Sequence, residues 1–214
     1  MGATGLARLG PFFVVDAVDD GPWRPLAELV SGDALAERVA WTRDALGRRA
    51  RVEVEERVAA STASLGIFAR VLSPAVGATL LGVDAPDPGS LRWQPVEGGP
   101  MRLAAETWGR HPPGEVVDTV IAPLVDRLDT EHGVSVKIGW GNAASAVHGA
   151  ARMAAQTDPT LAPAAGSLLL DVLAHPLLTD TADVGPPFVR RSCCLYYRLP
   201  GGGYCGDCVL AHSG

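Results

Sequence analysis

Every cysteine of this chain lies near its C-terminal end. The segment reads Arg190-Arg191-Ser192-Cys193-Cys194-Leu195-Tyr196-Tyr197-Arg198-Leu199-Pro200-Gly201-Gly202-Gly203-Tyr204-Cys205-Gly206-Asp207-Cys208, and no thiol precedes Cys193. Whatever joins four thiols in one stretch fixes the backbone path there, so this feature constrains the fold more than any other. Four readings of the spacing stand. Two disulfides suit a small secreted domain without a core, whereas this chain has 214 residues. A structural zinc site takes four ligands, commonly from two C-x2-4-C knuckles. Cys205-x2-Cys208 is such a knuckle, but Cys193 and Cys194 are adjacent, and adjacent side chains diverge from an extended backbone. A two-iron cluster shares four thiolates between two metals and accepts a wider ligand set. The last reading is four unrelated thiols.

The intervening residues favour the cluster. Gly201, Gly202, Gly203 and Gly206 let the backbone pass close to an inorganic core and turn N–H groups towards sulfur, because no Cβ intervenes. Arg190, Arg191 and Arg198 flank a site that four thiolates make anionic. They are candidates for tuning its potential, for guiding an anionic substrate, or for clamping a carboxylate such as Asp207 and holding the loop closed. The bland alternative is a solvated basic surface.

Cys-Cys-x10-Cys-x2-Cys, preceded by Arg-Arg-Ser and continued by Leu-Tyr-Tyr-Arg, resembles the ferric iron reductase FhuF family of bacterial [2Fe-2S] proteins that reduce ferric siderophores. The likeness is strongest over roughly the last thirty residues; a weaker one covers Trp140 to Ala144 and the helical stretch from Arg57 to Pro74. The resemblance implies Cys193, Cys194, Cys205 and Cys208 as ligands of a [2Fe-2S] cluster. It further implies a ferric siderophore, of hydroxamate type, as substrate and Fe(II) as the product released.

Bulk properties agree with a folded protein of this kind. Hydrophobic residues are 47% and charged residues 20%, ordinary for a soluble domain. The net charge of −6 argues against non-specific nucleic-acid binding. Met1 to Gly10 lacks the apolar core of a signal peptide. No run reaches the ~20 apolar residues of a membrane span, the longest uncharged stretch being Ile138 to Ala151. The expected location is the cytoplasm, where thiols stay reduced.

Along the chain, Pro11 to Asp16 reads as a short strand or buried segment, followed by short helices over Leu26–Val30 and Ala34–Leu46, with Trp41 packing inward. Val52 to Leu72 shows Val54, Val58, Leu65, Phe68 and Leu72 on one helical stripe, with Glu55, Glu56 and Arg70 away from it. Ser61 on that stripe is expected to permit close helix contact. Ser73-Pro74 should break the helix, with a shorter one resuming to Leu81. Leu91–Val96 and Met101–Ala105 flank Glu97-Gly98-Gly99-Pro100 as a β-hairpin, the one convincing β signal, with Pro95 at an edge. Gly114–Leu128 reads as a helix kinked or split by Pro123. Val134–Ala155 is a helix dense in small residues, and a last helix runs from Asp158-Pro159 to about Leu173. The five histidines stand alone, without metal-ligand spacing, and are expected to be structural or exposed. Neither a phosphate-binding loop nor a dinucleotide fingerprint is found, so electrons should arrive from a separate donor, a protein or a small reductant.

The expected fold is mainly α: a helical siderophore-binding body over residues 1–185 with a small β-hairpin, closed by an irregular iron–sulfur segment over 186–214. The expected activity is oxidoreduction at a metal ion. An iron–sulfur electron carrier or redox sensor without a substrate cleft is the alternative, and a zinc-stabilised interaction domain is a third.

Overall fold

The computed structural model describes residues 2–96 and 99–212. It is 59% helical, so the mainly α expectation holds. In chain order the helices are α1 (Gly2–Ala7), α2 (Ala27–Ser31), α3 (Ala34–Ala50), α4 (Glu56–Leu81), α5 (Pro113–Val116), α6 (Ala122–His132), α7 (Val136–Thr157), α8 (Ala162–Leu173) and α9 (Val209–His212). The strands are β1 (Asp16–Ala17), β2 (Arg24–Pro25), β3 (Ala85–Pro86), β4 (Leu91–Gln94), β5 (Arg102–Ala105), β6 (Trp108–Gly109), β7 (Ala182–Asp183) and β8 (Val189–Arg190).

Helix α4 is the axis of the body. It is apolar nearly all round, as a helix surrounded by neighbours must be, and it packs chiefly against α7, with α3 on another side. Ser73-Pro74 does not break it: the helix runs unbroken from Glu56 to Leu81 with Pro74 inside. Tertiary packing supplies most of a helix's stability in a protein, and Ser73 and Pro74 are both buried here. One charge, Arg70, interrupts the apolar stretch from Val58 to Val83. By length and composition α4 is therefore long and apolar enough to cross a membrane, contrary to the sequence expectation, yet two-thirds of its most apolar window is buried within the fold. Arg70 is also not on an outer face. It is 3% exposed, because a helix enclosed on every side has no solvent face to offer it.

The small residues of α7 are used one by one. A Cβ on Gly139 would stand 2.9 Å from the Val125 side chain, so its absence lets α6 lie close. A Cβ on Gly141 would collide with the Ser192 hydroxyl, so its absence admits the cysteine segment. Between α5 and α6 the helical path continues through a wide π turn at Val117–Ile121. This turn lies just ahead of Pro123, whose missing N–H cannot join an α ladder. Asp158 caps the Pro159–Leu161 turn ahead of α8 by accepting from Thr160 N–H.

The expected hairpin forms between β4 and β5, with Leu91 opposite Ala105 and Gln94 opposite Arg102; Pro95 falls just beyond it. Glu97 and Gly98 of its turn lie outside the described residues. Of the expected strand or buried segment over Pro11 to Asp16, Phe13 and Val15 are buried and only Asp16 belongs to a strand; the sequence reading missed the rest of the β structure. β1 joins β5 in parallel and β2 joins β4 antiparallel, giving the order β1-β5-β4-β2, while β3–β6 and β7–β8 are two-stranded ladders. Two-residue strands carry too little alternation to be seen in a sequence. Trp41 is another departure: it is half-buried, with the Arg38 guanidinium 4.5 Å above its ring, rather than a core residue.

Candidate metal centre

The cysteine segment enters on β8, which pairs with β7, and leaves into α9. Between them the chain makes two tight reversals. Leu195 adopts φ 67° immediately after Cys194, a left-handed conformation costly for a branched side chain. Gly201 and Gly203 take φ 74° and 67°, and a Cβ on Gly202 would collide with the Tyr196 carbonyl. The glycines thus turn the chain, as expected. The N–H groups that reach sulfur, however, belong to non-glycine residues: Leu195 N–H donates to Cys193 Sγ at 3.3 Å, and Tyr196 N–H to the Cys194 thiol.

All four cysteines are free thiols, with Cys194 and Cys208 buried and Cys193 and Cys205 half-buried. Cys194 Sγ lies 3.8 Å from Cys205 Sγ, far beyond the ~2.05 Å of a disulfide. Cys193 interacts with Cys208. Adjacent Cys193 and Cys194 therefore enter different pairs, as their diverging directions require. Among the described residues no three His, Cys, Asp or Glu side chains surround one point as around a lone metal ion.

Arg190 organises the anionic side of the site. It is 1% exposed. Its Nη1 donates to Asn142 Oδ1 at 2.8 Å, and its Nη2 donates to Cys205 Sγ at 2.8 Å and Asp207 Oδ1 at 3.2 Å. Nε stands 2.9 Å from Asp207 Oδ2, an ion-pair distance without hydrogen-bond alignment. The Ser145 hydroxyl donates to Asp207 Oδ2 at 2.5 Å. Main-chain bonding adds to the clamp, since Arg190 N–H donates to the Asp207 carbonyl at 3.0 Å.

The clamp continues into the helical body. Asn142, fully buried on α7, donates to the Ser61 carbonyl and hydroxyl at 3.1 Å each and to the Ser64 hydroxyl at 2.9 Å. Ser61 in turn donates to the Cys194 carbonyl at 2.8 Å. Ser61 is thus more than a small residue admitting close packing: it ties α4 to the cysteine loop. A chain of polar contacts runs from α4 through α7 to Arg190 and the thiols. Polar groups this deep stay only where they find partners.

The charges follow. Donation from the Cys205 thiol is the largest influence on Cys194, and with the Arg190 guanidinium it brings that thiol down to about 5 against the opposing effect of burial. Cys205 moves the other way, because it keeps the proton of the pair and burial disfavours its anion. Burial likewise pushes Cys193 up. Burial works against the charge on Asp207, yet Arg190 and Ser145 hold its carboxyl below the usual range. For Arg190 burial is again opposed, and Asp207 with Cys194 and Cys205 leaves its guanidinium more firmly protonated. The site is built to hold negative charge on sulfur beside one fixed cation.

The other two arginines have different engagements. Arg191 is bound by Asp180 at 3.0 Å and by Asp183 at 2.6 Å on the surface. Arg198 pairs with Glu55 at 2.8 Å. Neither guanidinium is directed to sulfur by these bonds. Sequence reasoning did not find Asn142, Ser145 or Ser61 as parts of the site. The signals for Asn142 were the weaker family likeness over Trp140 to Ala144 and an amide set among the small residues of α7.

These residues suit a two-iron cluster. Cys194 with Cys205 and Cys193 with Cys208 bring together four thiols, which would supply the four thiolates that such a cluster takes. The Ser192 hydroxyl, next in sequence to Cys193, is buried without a hydrogen-bond partner among the described residues, and a buried hydroxyl of this kind is a group that a bound partner would satisfy. A family model described as the FhuF 2Fe-2S C-terminal domain matches residues 190–210, a span that contains all four cysteines, Arg190 and Asp207. Comparison with curated proteins gives no match. The cofactor of the segment is a [2Fe-2S] cluster, and Cys193, Cys194, Cys205 and Cys208 are the residues present that would hold it.

Proposed function

We propose that a chain whose C-terminal segment is an FhuF-type 2Fe-2S domain is a ferric-siderophore reductase, which delivers one electron to Fe(III) in a hydroxamate-type siderophore and so releases Fe(II). When bound, the cluster supplies one electron at a time. Fe(III) is a hard cation held tightly by hydroxamate oxygens, and Fe(II) suits them less well, so a single electron frees the metal and spares the chelator. Residues 1–185 form the body that receives the chelate, and 186–214 carry the metal centre. Reduced thiols fit the cytoplasm. A separate one-electron donor recharges the protein.

The observation that favours a reductase over a bare electron carrier is a concavity. A cavity of about 460 Å³ opens against the cysteine loop, with Gly206 and Asp207, which lie between Cys205 and Cys208, in its wall. A ligand seated there touches the loop that carries two of the thiolates. Arg190 contributes by balancing the anionic centre, and the Asn142–Ser61 chain holds that centre rigidly against the body.

The test uses anaerobic holoprotein reduced with dithionite, then freed of excess reductant and mixed with a ferric trihydroxamate in the presence of a ferrous trap. The expected result is one trapped Fe(II) for each reduced cluster reoxidised, with a rate that saturates in chelate. An unsaturable rate, equal for every soluble ferric chelate, identifies a carrier and rejects the proposal.

A further inference from the structure

We infer that the cavity beside the cysteine loop docks a ferric hydroxamate through Arg152 and His148, with Gly149 kept bare so that the chelate fits; this rests on the reductase reading. One wall is α7, which presents Ser145, His148, Gly149 and Arg152, and the other is the 185–188 turn with Phe188. A second cavity of about 200 Å³ shares Ser145, Gly149 and Arg152 and extends between α4 and α7 past the apolar Phe12, Leu65 and Met153. The polar groups Ser145, His148, Arg152 and Asp207 thus lie against the metal centre beside Phe188 and two prolines, while the second hollow leads away along a mainly apolar wall. A hydroxamate siderophore has the same division: oxygen donors gathered around the metal, and aliphatic spacers between them.

The polar part offers hydrogen-bond donors to such oxygens. Arg152 is exposed, and its guanidinium has no hydrogen-bond or ion-pair partner among the described residues. His148 is stacked flat on Phe188, with ring centroids 4.1 Å apart and planes 5° from parallel. The stack fixes the imidazole plane and leaves its ring edge free. Burial and the neighbouring Arg152 push the imidazole pKa down against the opposing pull of Asp207, which favours the neutral ring with one N–H donor and one acceptor. The carboxylate in the wall does not repel oxygen donors, because Asp207 is already taken up by Arg190 and Ser145.

Gly149 supplies the independent observation. Glycine inside a helix is destabilising relative to alanine, so its presence in mid-α7 invites a reason. Gly139 and Gly141 have one in the side chains packed against them, but a Cβ on Gly149 would meet nothing within 4 Å. What it faces is the hollow itself, since it lines both cavities. A side chain there would occupy the chelate's space without disturbing the protein.

The experiment titrates the gallium(III) complex of a linear trihydroxamate into oxidised holoprotein by calorimetry, gallium being a redox-inert substitute for Fe(III). Wild type is compared with Gly149→Leu and Arg152→Gln, and the cluster absorption and midpoint potential are recorded for each. The expected result is at least tenfold weaker binding for Gly149→Leu and about threefold to tenfold for Arg152→Gln, with spectrum and potential as in wild type. Wild-type affinity in both variants overturns the site. Should Gly149→Leu lose its cluster, Arg152→Gln and Gly149→Ser decide by the same criterion. A wild type that neither binds the gallium complex nor reduces the ferric one removes the reductase reading itself. A wild type that does both, with both variants unaffected, removes only this assignment.

Discussion

Arg70 and Arg190 are both buried, at 3% and 1% exposure, in regions that treat the same side chain in opposite ways. Around Arg70 every partner is a neutral carbonyl. Nε donates to Met101 at 2.8 Å, Nη1 to Phe12 at 2.5 Å and Pro11 at 3.3 Å, and Nη2 to Val14 at 2.9 Å. Burial without a contacting carboxylate pulls its pKa down to about 10, so the group stays charged at neutral pH. Around Arg190 the partners are Asp207 and thiols besides the Asn142 amide, and the charge is reinforced. The first arginine is a staple: four hydrogen bonds from its guanidinium fasten the N-terminal segment and the hairpin entry to α4. The second is a counter-charge, set beside Asp207 and the thiols of the [2Fe-2S] segment. Burial alone therefore says little about why a charged residue is present; the chemistry of its partners does.

The comparison can be broken in order of expected effect. Replacing Cys205 by Ser should abolish the cluster: the visible absorption and about two irons and two sulfides per chain are lost. Limited proteolysis should then cut within 190–210, because metal binding and local folding are coupled. Far-UV circular dichroism of the α4–α7 body should be retained, since Arg70 and its carbonyls are untouched.

Arg70→Met should cost about 3–5 kcal/mol in chemical denaturation, because several buried carbonyls lose their donor together. The midpoint potential of the folded holoprotein should not move. A loss below about 1 kcal/mol would remove the staple.

Arg190→Gln leaves Asp207 buried without its counter-charge. It should cost about 3 kcal/mol and lower the midpoint potential by on the order of tens of millivolts, as loss of a nearby cation disfavours an added electron. Adding Asp207→Asn should restore much of the stability. Both the cation and the anion are then gone, so the potential should return part of the way. If Arg190→Gln leaves the potential in place, Arg190 is a second staple and the contrast with Arg70 disappears.

Gly141→Ala inverts a usual rule. Alanine normally stabilises a helix interior by about 0.5–1 kcal/mol relative to glycine, but here the new methyl meets the Ser192 hydroxyl. The expected cost is about 1–3 kcal/mol, partly recovered by Ser192→Gly, as measured by thermal melting. Smallest of all, Arg191→Gln and Arg198→Gln should each change stability by no more than about 0.5 kcal/mol, because their ion pairs are solvent-exposed. A shift in potential as large as that of Arg190→Gln would show that sequence proximity to the thiols, not burial, sets the tuning.

How visible these features were beforehand depends on the range of the interactions. The four thiols were visible because cysteine confined to one segment is a compositional fact, and the hairpin because its strands are neighbours in sequence. Arg190 and Asp207 were visible as a possible clamp, being residue types of opposite charge in the same segment. Asn142 was not, since its partners Ser61 and Ser64 are about eighty residues away and hydroxyls on an apolar stripe read as small core residues. His148 and Gly149 gave no signal either, because a cavity is a property of walls that come together from distant parts of the chain.

By itself, the sequence determined the chemistry of the metal centre and the helical character of the body. Cysteine placement and hydrophobic periodicity are local, and each is carried by the residue types themselves. Tertiary structure decided which arginine sits inside and what each one faces. It also decided that α4 continues through Pro74, that adjacent Cys193 and Cys194 part into separate pairs, and where a hollow lies against the loop. Each of these depends on desolvation and on contacts between distant segments, and those exist only once α4, α7 and the cysteine segment have packed together.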